Sequence, residues 1–96
     1  PAITDAVGDK IAVHLDSGIR SGQDVLKALS LGARGAYIGR AFTYGLGAMG
    51  EAGVTCALDL IRKELDTTMG LCGRRDVHDL DRDVLLIPKG FIGDWA

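Results

Sequence analysis

Asp16 to Arg40 reads DSGIRSGQDVLKALSLGARGAYIGR, and this stretch joins two short β-prone runs through a single helix. The first run is Ile11 to Leu15 (IAVHL), which ends at Asp16. The second is Ala36 to Ile38 (AYI), which ends at Gly39, so each runs directly into a polar, glycine-bearing turn. Between them Ser21 is placed to cap a helix, with Asp24 three residues on. Val25, Leu26, Ala28 and Leu29 supply its apolar face, and Gly32 stands where it ends. A strand, a crossover helix and a strand within about thirty residues form a right-handed βαβ unit with parallel strands. Both turns therefore lie at the same end of the sheet.

Residue type says what two such turns can do together. Gly18 lets backbone approach a ligand closely, and Arg20 is a fixed cation whose fork of donors suits phosphate oxygens. Gly39 and Arg40 repeat the combination at the end of the next strand. The following AFTYGLGAM is expected to open a short helix whose free N–H groups add to an anion site. Asp16 serves either to cap its turn or to bond a ligand hydroxyl, with the second favoured. Gly32 and Gly35 are read as turn residues only. Phosphate sites of (β/α)8 barrels are frequently built from the loops after strands 7 and 8 together with the N-terminus of a short extra helix. The same layout is present here.

With the continuation to Val54, the run DSGIRSGQDVLKALSLGARGAYIGRAFTYGLGAMGEAGV closely resembles the C-terminal barrel signature of the FMN-dependent 2-hydroxy acid dehydrogenases and oxidases. That family includes L-lactate dehydrogenases, glycolate oxidases and mandelate dehydrogenases. AGVTCALDLIRKELDTTMGLCG resembles its last barrel helix, so the likeness covers about residues 6 to 76. It implies an α/β fold of the TIM (β/α)8 barrel type, in which this chain supplies the last two β/α units, strands 7 and 8. Residues 1–76 would be the FMN-binding barrel part, and 77–96 a tail packing on the barrel or on a partner subunit.

Carried over by position, Asp16, Ser17, Gly18 and Arg20 match the family's first FMN-contacting turn. Gly39 and Arg40 match its second, with both arginines on the 5′-phosphate. Ser17 departs from the commoner glycine and weakly favours the lactate and mandelate branches. The resemblance further implies a small 2-hydroxy acid substrate, a homo-oligomer, often a tetramer, and a cytoplasmic location. Peripheral attachment to the inner membrane is a variant of that location, found in relatives that pass electrons to quinones.

Members of the family remove the substrate α-proton with a histidine in a segment resembling HGGRQ, and no such segment exists in this sequence. His14 shares strand parity with Ala12 and Asp16 and is expected inside the barrel as a packed core residue. His78, in RRDVHDLDRD, is expected on a solvated loop. No catalytic base is assigned. A (β/α)8 barrel needs about 250 residues, whereas this chain has 96. The expectation is therefore the C-terminal part of a larger enzyme, completed by the remainder of the barrel.

Composition agrees with an ordinary α/β protein: 47% hydrophobic, 25% charged and a net charge of −2, which gives no basic field for nucleic acid. No apolar stretch is long enough to span a bilayer. Cys56 and Cys72 would stand about 24 Å apart along one helix, too far for a disulfide, and are read as small core residues with no metal implied.

Val54, Leu58, Ile61, Leu65 and Met69 repeat at three or four and mark one packed face of the long helix, which Gly73 should stop. Asp59/Lys63 and Arg62/Asp66 are spaced to pair on its other face. Glycines at 45, 47, 50 and 53 predict a break near Gly50. VLLIP is expected to be extended, Arg74 and Arg75 to be surface charges, and Phe91, Ile92 and Trp95 to form an apolar end that packs.

Two alternatives stand beside the flavin reading. One is a barrel of the IMP dehydrogenase and GMP reductase type, which carries a similar glycine-arginine run on a nucleotide monophosphate. The other is a noncatalytic half-barrel that works by associating with a partner.

Overall fold

The computed structural model describes residues 1–90. Helix α1 (Ala2–Val7) leads to strand β1 (His14–Asp16), helix α2 (Gly22–Ser30), strand β2 (Gly35–Tyr37) and a long helix α3 (Arg40–Leu71). Two single 3-10 turns, Val77–Asp79 and Arg82–Val84, follow. The strands pair in parallel, with His14 opposite Gly35, Leu15 opposite Ala36 and Asp16 opposite Tyr37. Both strand ends, and the turns after them, lie on one side of the molecule.

The strand bounds differ from expectation for a local reason. Ile11 is drawn into the end of α1, its amide bonding the Val7 carbonyl at 2.9 Å, so it cannot extend the sheet. β1 starts at His14 and runs through Asp16. Gly35, expected in a turn, is the first residue of β2. A Cβ there would come within 3.0 Å of Nδ1 of His14, so the strand needs the space that glycine leaves.

The helix ends follow the sequence closely. Ser21 Oγ accepts the Asp24 amide at 3.2 Å and caps α2. Gly32, at φ 104°, closes α2 with its amide on Leu29 and the Ala33 amide on Ala28, the paired bonds of a Schellman ending. Gly73, at φ 71°, ends α3 in the same way, with bonds to Gly70 and from Arg74 to Met69. The break predicted near Gly50 is present, at φ 62° and ψ −140°. The segments on either side, residues 40–49 and 51–71, fold back so that Gly45 and Gly53 meet backbone to backbone. A Cβ on either would collide with the carbonyl of the other.

The core forms where α2 crosses the second segment of α3. Leu26, Met69 and Leu80 are buried together, flanked by Leu29, Leu65, Val84 and Leu85. Along α3 the inward positions agree with the predicted stripe at Ile61, Leu65 and Met69, while Leu58 stays half exposed. The 77–90 segment is tied back by Arg74 to Asp81 at 3.0 Å and by Arg82 to Asp5 at 2.8 Å. These are the ion pairs among the described residues, so neither Asp59/Lys63 nor Arg62/Asp66 closes. Val84 ends a 3-10 turn and Leu85 is extended. The predicted packing of Phe91, Ile92 and Trp95 lies outside the described residues.

His14, expected inside a closed barrel, lies on the open face of the two strands present here and leans on Tyr37 with ring centroids 5.7 Å apart. Two further expectations are corrected. Cys56 is exposed because it projects from α3 nearly opposite the stripe that faces α2. Cys72 is exposed because it follows the last turn of the helix. His78 is exposed, as its loop position predicts.

Candidate functional site

The parallel pairing delivers the two glycine-arginine turns to one cleft of about 580 Å³. Its lining consists of Asp16, Ser17, Gly18, Ile19, Arg20, Gly39 and Arg40. Every site residue named from the sequence is therefore at this one end of the sheet. Ile19 is the addition: it is 5% exposed and anchors the first turn from within, while the residues around it stay open.

The first turn is built by local bonds that spend few of its donors. Asp16 Oδ1 accepts the Ser17 amide at 2.9 Å, so this carboxylate caps its own turn with one oxygen. Ser17 and Gly18 both have positive φ, 92° and 78°, which reverses the chain immediately after the strand. Glycine tolerates that backbone freely and serine does not, which is the physical reason that glycine is the easier residue at position 17. The Arg20 amide then bonds Asp24 Oδ2 at 3.0 Å, fixing the arginine's backbone to the first turn of α2.

The second turn is simpler. Gly39 is the N-cap of α3 and Arg40 its first residue. The first bonds of that helix go from the Thr43 amide and hydroxyl to the Gly39 carbonyl, at 3.1 and 3.0 Å. The amides of Arg40, Ala41 and Phe42 take no partner among the described residues, nor do those of Gly18 and Ile19. An added Cβ at Gly18 or Gly39 meets no atom within 4 Å. At Gly39 (φ −124°, ψ −79°) no neighbour in this chain's packing demands glycine.

The chemistry of this donor set is that of an anion receptor. Two exposed guanidiniums, neither paired with a carboxylate among the described residues, face a space lined by unpartnered amides at a helix N-terminus. The phosphate group of a flavin mononucleotide fits that set in charge and in acceptor number. The second carboxylate oxygen of Asp16 takes no partner among the described residues.

Two residues that hold this site were not assigned to it from the sequence. Asp24 was visible as a partner of Ser21, yet its carboxylate bonds Arg20. Glu64, on α3, accepts the Gly22 amide at 3.2 Å, and no spacing pattern marks that contact.

Comparison with known proteins gives a consistent result. A family model described as FMN-dependent dehydrogenase matches residues 1–87. The chain is 56% identical over 85 residues to an L-lactate dehydrogenase of Caulobacter vibrioides, covering 88% of this chain and 22% of that protein. It is 50% identical over 94 residues to a pre-mycofactocin synthase of Mycobacterium tuberculosis, covering 98% of this chain and 24% of that one. Among solved structures it superposes on the monotopic membrane protein (S)-mandelate dehydrogenase with a TM-score of 0.76 at 44% identity, over 78% of this chain and 20% of that chain. The chain thus spans between a fifth and a quarter of the length of these relatives. Its fold is that of β/α units of a TIM (β/α)8 barrel, the architecture of these flavoenzymes.

Proposed function

The chain belongs to the family of FMN-dependent dehydrogenases, and from that premise we propose that the cleft between Arg20 and Arg40 holds the 5′-phosphate of FMN in an enzyme that oxidises an L-2-hydroxy acid to the 2-oxo acid. One observation carries the reading: two unpaired arginines and the open N-terminus of α3 share one cleft with glycines that nothing in this chain's packing requires at position 39. Arg20 and Arg40 neutralise the phosphate, the amides of residues 40–42 bond its oxygens, and Asp16 accepts from a hydroxyl of the sugar-alcohol chain.

When bound, FMN supplies the two-electron acceptor for the oxidation. The residues of this chain act at a distance from that chemistry. Anchoring a remote dianion fixes the position of the reactive ring without entering the reaction. The group that removes the α-proton is supplied from outside these residues.

The barrel part is assigned to residues 1–76 and the tail to 77–96, with the remainder of the barrel and further copies of the enzyme as partners. No helix among the described residues is long and apolar enough to cross a membrane. Peripheral attachment is compatible with that, and a monotopic membrane protein stands among the relatives.

A second reading keeps the cofactor and changes the substrate. The likeness to pre-mycofactocin synthase extends over 94 residues at 50% identity, beside 85 residues at 56% for the L-lactate dehydrogenase. Anaerobic titration of the intact, flavin-loaded protein separates the two. Bleaching of the flavin by L-lactate or (S)-mandelate supports the hydroxy acid reading. Bleaching only by the substrate of pre-mycofactocin synthases supports the second. A protein isolated without FMN, and unable to bind it, overturns both.

A further inference from the structure

Glu64 stands on the second segment of α3, 42 residues from the amide it accepts, and its carboxylate is half-buried between α3 and the first turn of α2. At the same point α2 and α3 are in backbone contact, since a Cβ on Gly22 would overlap the amide of Leu65 and the side-chain stem of Glu64. Gly22 is the first residue of α2, two positions after Arg20. The Arg20 amide is itself tied to Asp24 in that first turn at 3.0 Å. A continuous set of bonds therefore runs from Glu64 through Gly22 and Asp24 to the backbone of Arg20.

The far end of α3 carries the other arginine. Arg40 opens the helix, and the crossing of Gly45 against Gly53 fixes its first segment on the second. Glu64 thus refers both arginine turns to one helix. The core contacts of Leu26 and Leu29 hold the body of α2 on α3, and at its first turn, next to Arg20, the tie to α3 is this side-chain bond together with the close approach of Gly22.

We infer that Glu64 is a positioning residue for the phosphate clamp, holding the Arg20 turn at the distance from Arg40 at which both guanidiniums reach one anion. This rests on the reading of the cleft as the FMN phosphate site. The required property is an acceptor oxygen at the end of a side chain of this length, so the neutral amide of glutamine serves where an apolar chain does not.

The test compares FMN with riboflavin, which has the same ring and sugar-alcohol chain and no phosphate. Affinities of both are measured by flavin fluorescence on the intact apoprotein. Arg20→Ala should lower the preference for FMN over riboflavin by at least about tenfold, as loss of a charged hydrogen bond does. Glu64→Met should lower the same ratio by about threefold to tenfold with riboflavin affinity nearly unchanged, and Glu64→Gln should keep it within about twofold. If Glu64→Met does not fold, Glu64→Ser carries the same expectation.

Equal weakening of both flavins, or loss of both in every folded variant lacking the acceptor, would mean that Glu64 only supports the fold and would overturn the proposal. So would an unchanged ratio in Glu64→Met where Arg20→Ala lowers it, in which case the phosphate site itself survives. An unchanged ratio in both Arg20→Ala and Arg40→Ala would instead remove the phosphate site on which the proposal stands.

Discussion

The amide of Gly22 donates to Oε2 of Glu64 at 3.2 Å, where α2 lies so close to α3 that no Cβ fits on Gly22. Gly22→Ala should therefore separate the two helices that form the core, at a cost of about 3 kcal/mol, in the upper range for overpacking. Gly53→Ala, which collides with the Gly45 carbonyl, should cost a similar amount. Gly70 is helical, exposed and clear of neighbours within 4 Å. Gly70→Ala should add about 0.5 to 1 kcal/mol through helix propensity. Denaturant midpoints of the three variants check the contrast; equal and small effects would show that the helix contacts are not tight.

Ser17 has φ of 92°, a conformation that costs an L-residue about 1–2 kcal/mol. Ser17→Gly should relieve part of that strain and raise thermal stability. FMN retention should change little, since the turn keeps its shape and the Asp16 bond goes to the backbone amide. A fall in stability would mean that the serine hydroxyl makes a compensating interaction. Calorimetry beside flavin content decides.

Gly39 offers a cleaner separation of binding from folding. A Cβ there meets nothing within 4 Å, so Gly39→Ala should lower the melting temperature far less than Gly22→Ala does. The methyl group would stand at the edge of the cleft, and FMN affinity should fall by about tenfold, the effect of about 1.4 kcal/mol. Full flavin occupancy at dilute protein concentration would argue that no ligand approaches this glycine.

Arg20→Lys and Arg40→Lys should not restore what alanine removes. Lysine keeps the charge and loses the planar fork, so each should bind FMN less tightly than wild type and more tightly than the alanine variant. Loss of FMN should also outrun loss of turnover in the fraction of enzyme that remains flavin-loaded. Full flavin content with abolished turnover would place the arginines in the chemistry and not in the anchor.

What the sequence determined by itself was the βαβ unit and the meeting of its two turns. Local rules suffice for that: Ser21 and Asp24 cap α2, Gly32 and Gly73 close their helices, Gly50 breaks α3, and the short crossover makes the strands parallel. Once the strands are parallel, Arg20 and Arg40 must leave the sheet on the same side, and all of the named site residues arrive at one cleft. Family likeness added the identity of the anion, which residue type alone left open.

Only the tertiary structure decided how the pieces touch. No spacing shows that Glu64 reaches Gly22, that Gly45 rests on Gly53, or that the Asp24 carboxylate accepts the amide of Arg20 and not that of the cap residue Ser21. Those contacts depend on the angle and separation of packed helices, which are set by many side chains at once. The same holds for Cys56, which has a core-like residue type and is nevertheless exposed, because exposure depends on what lies opposite a face and not on the face itself.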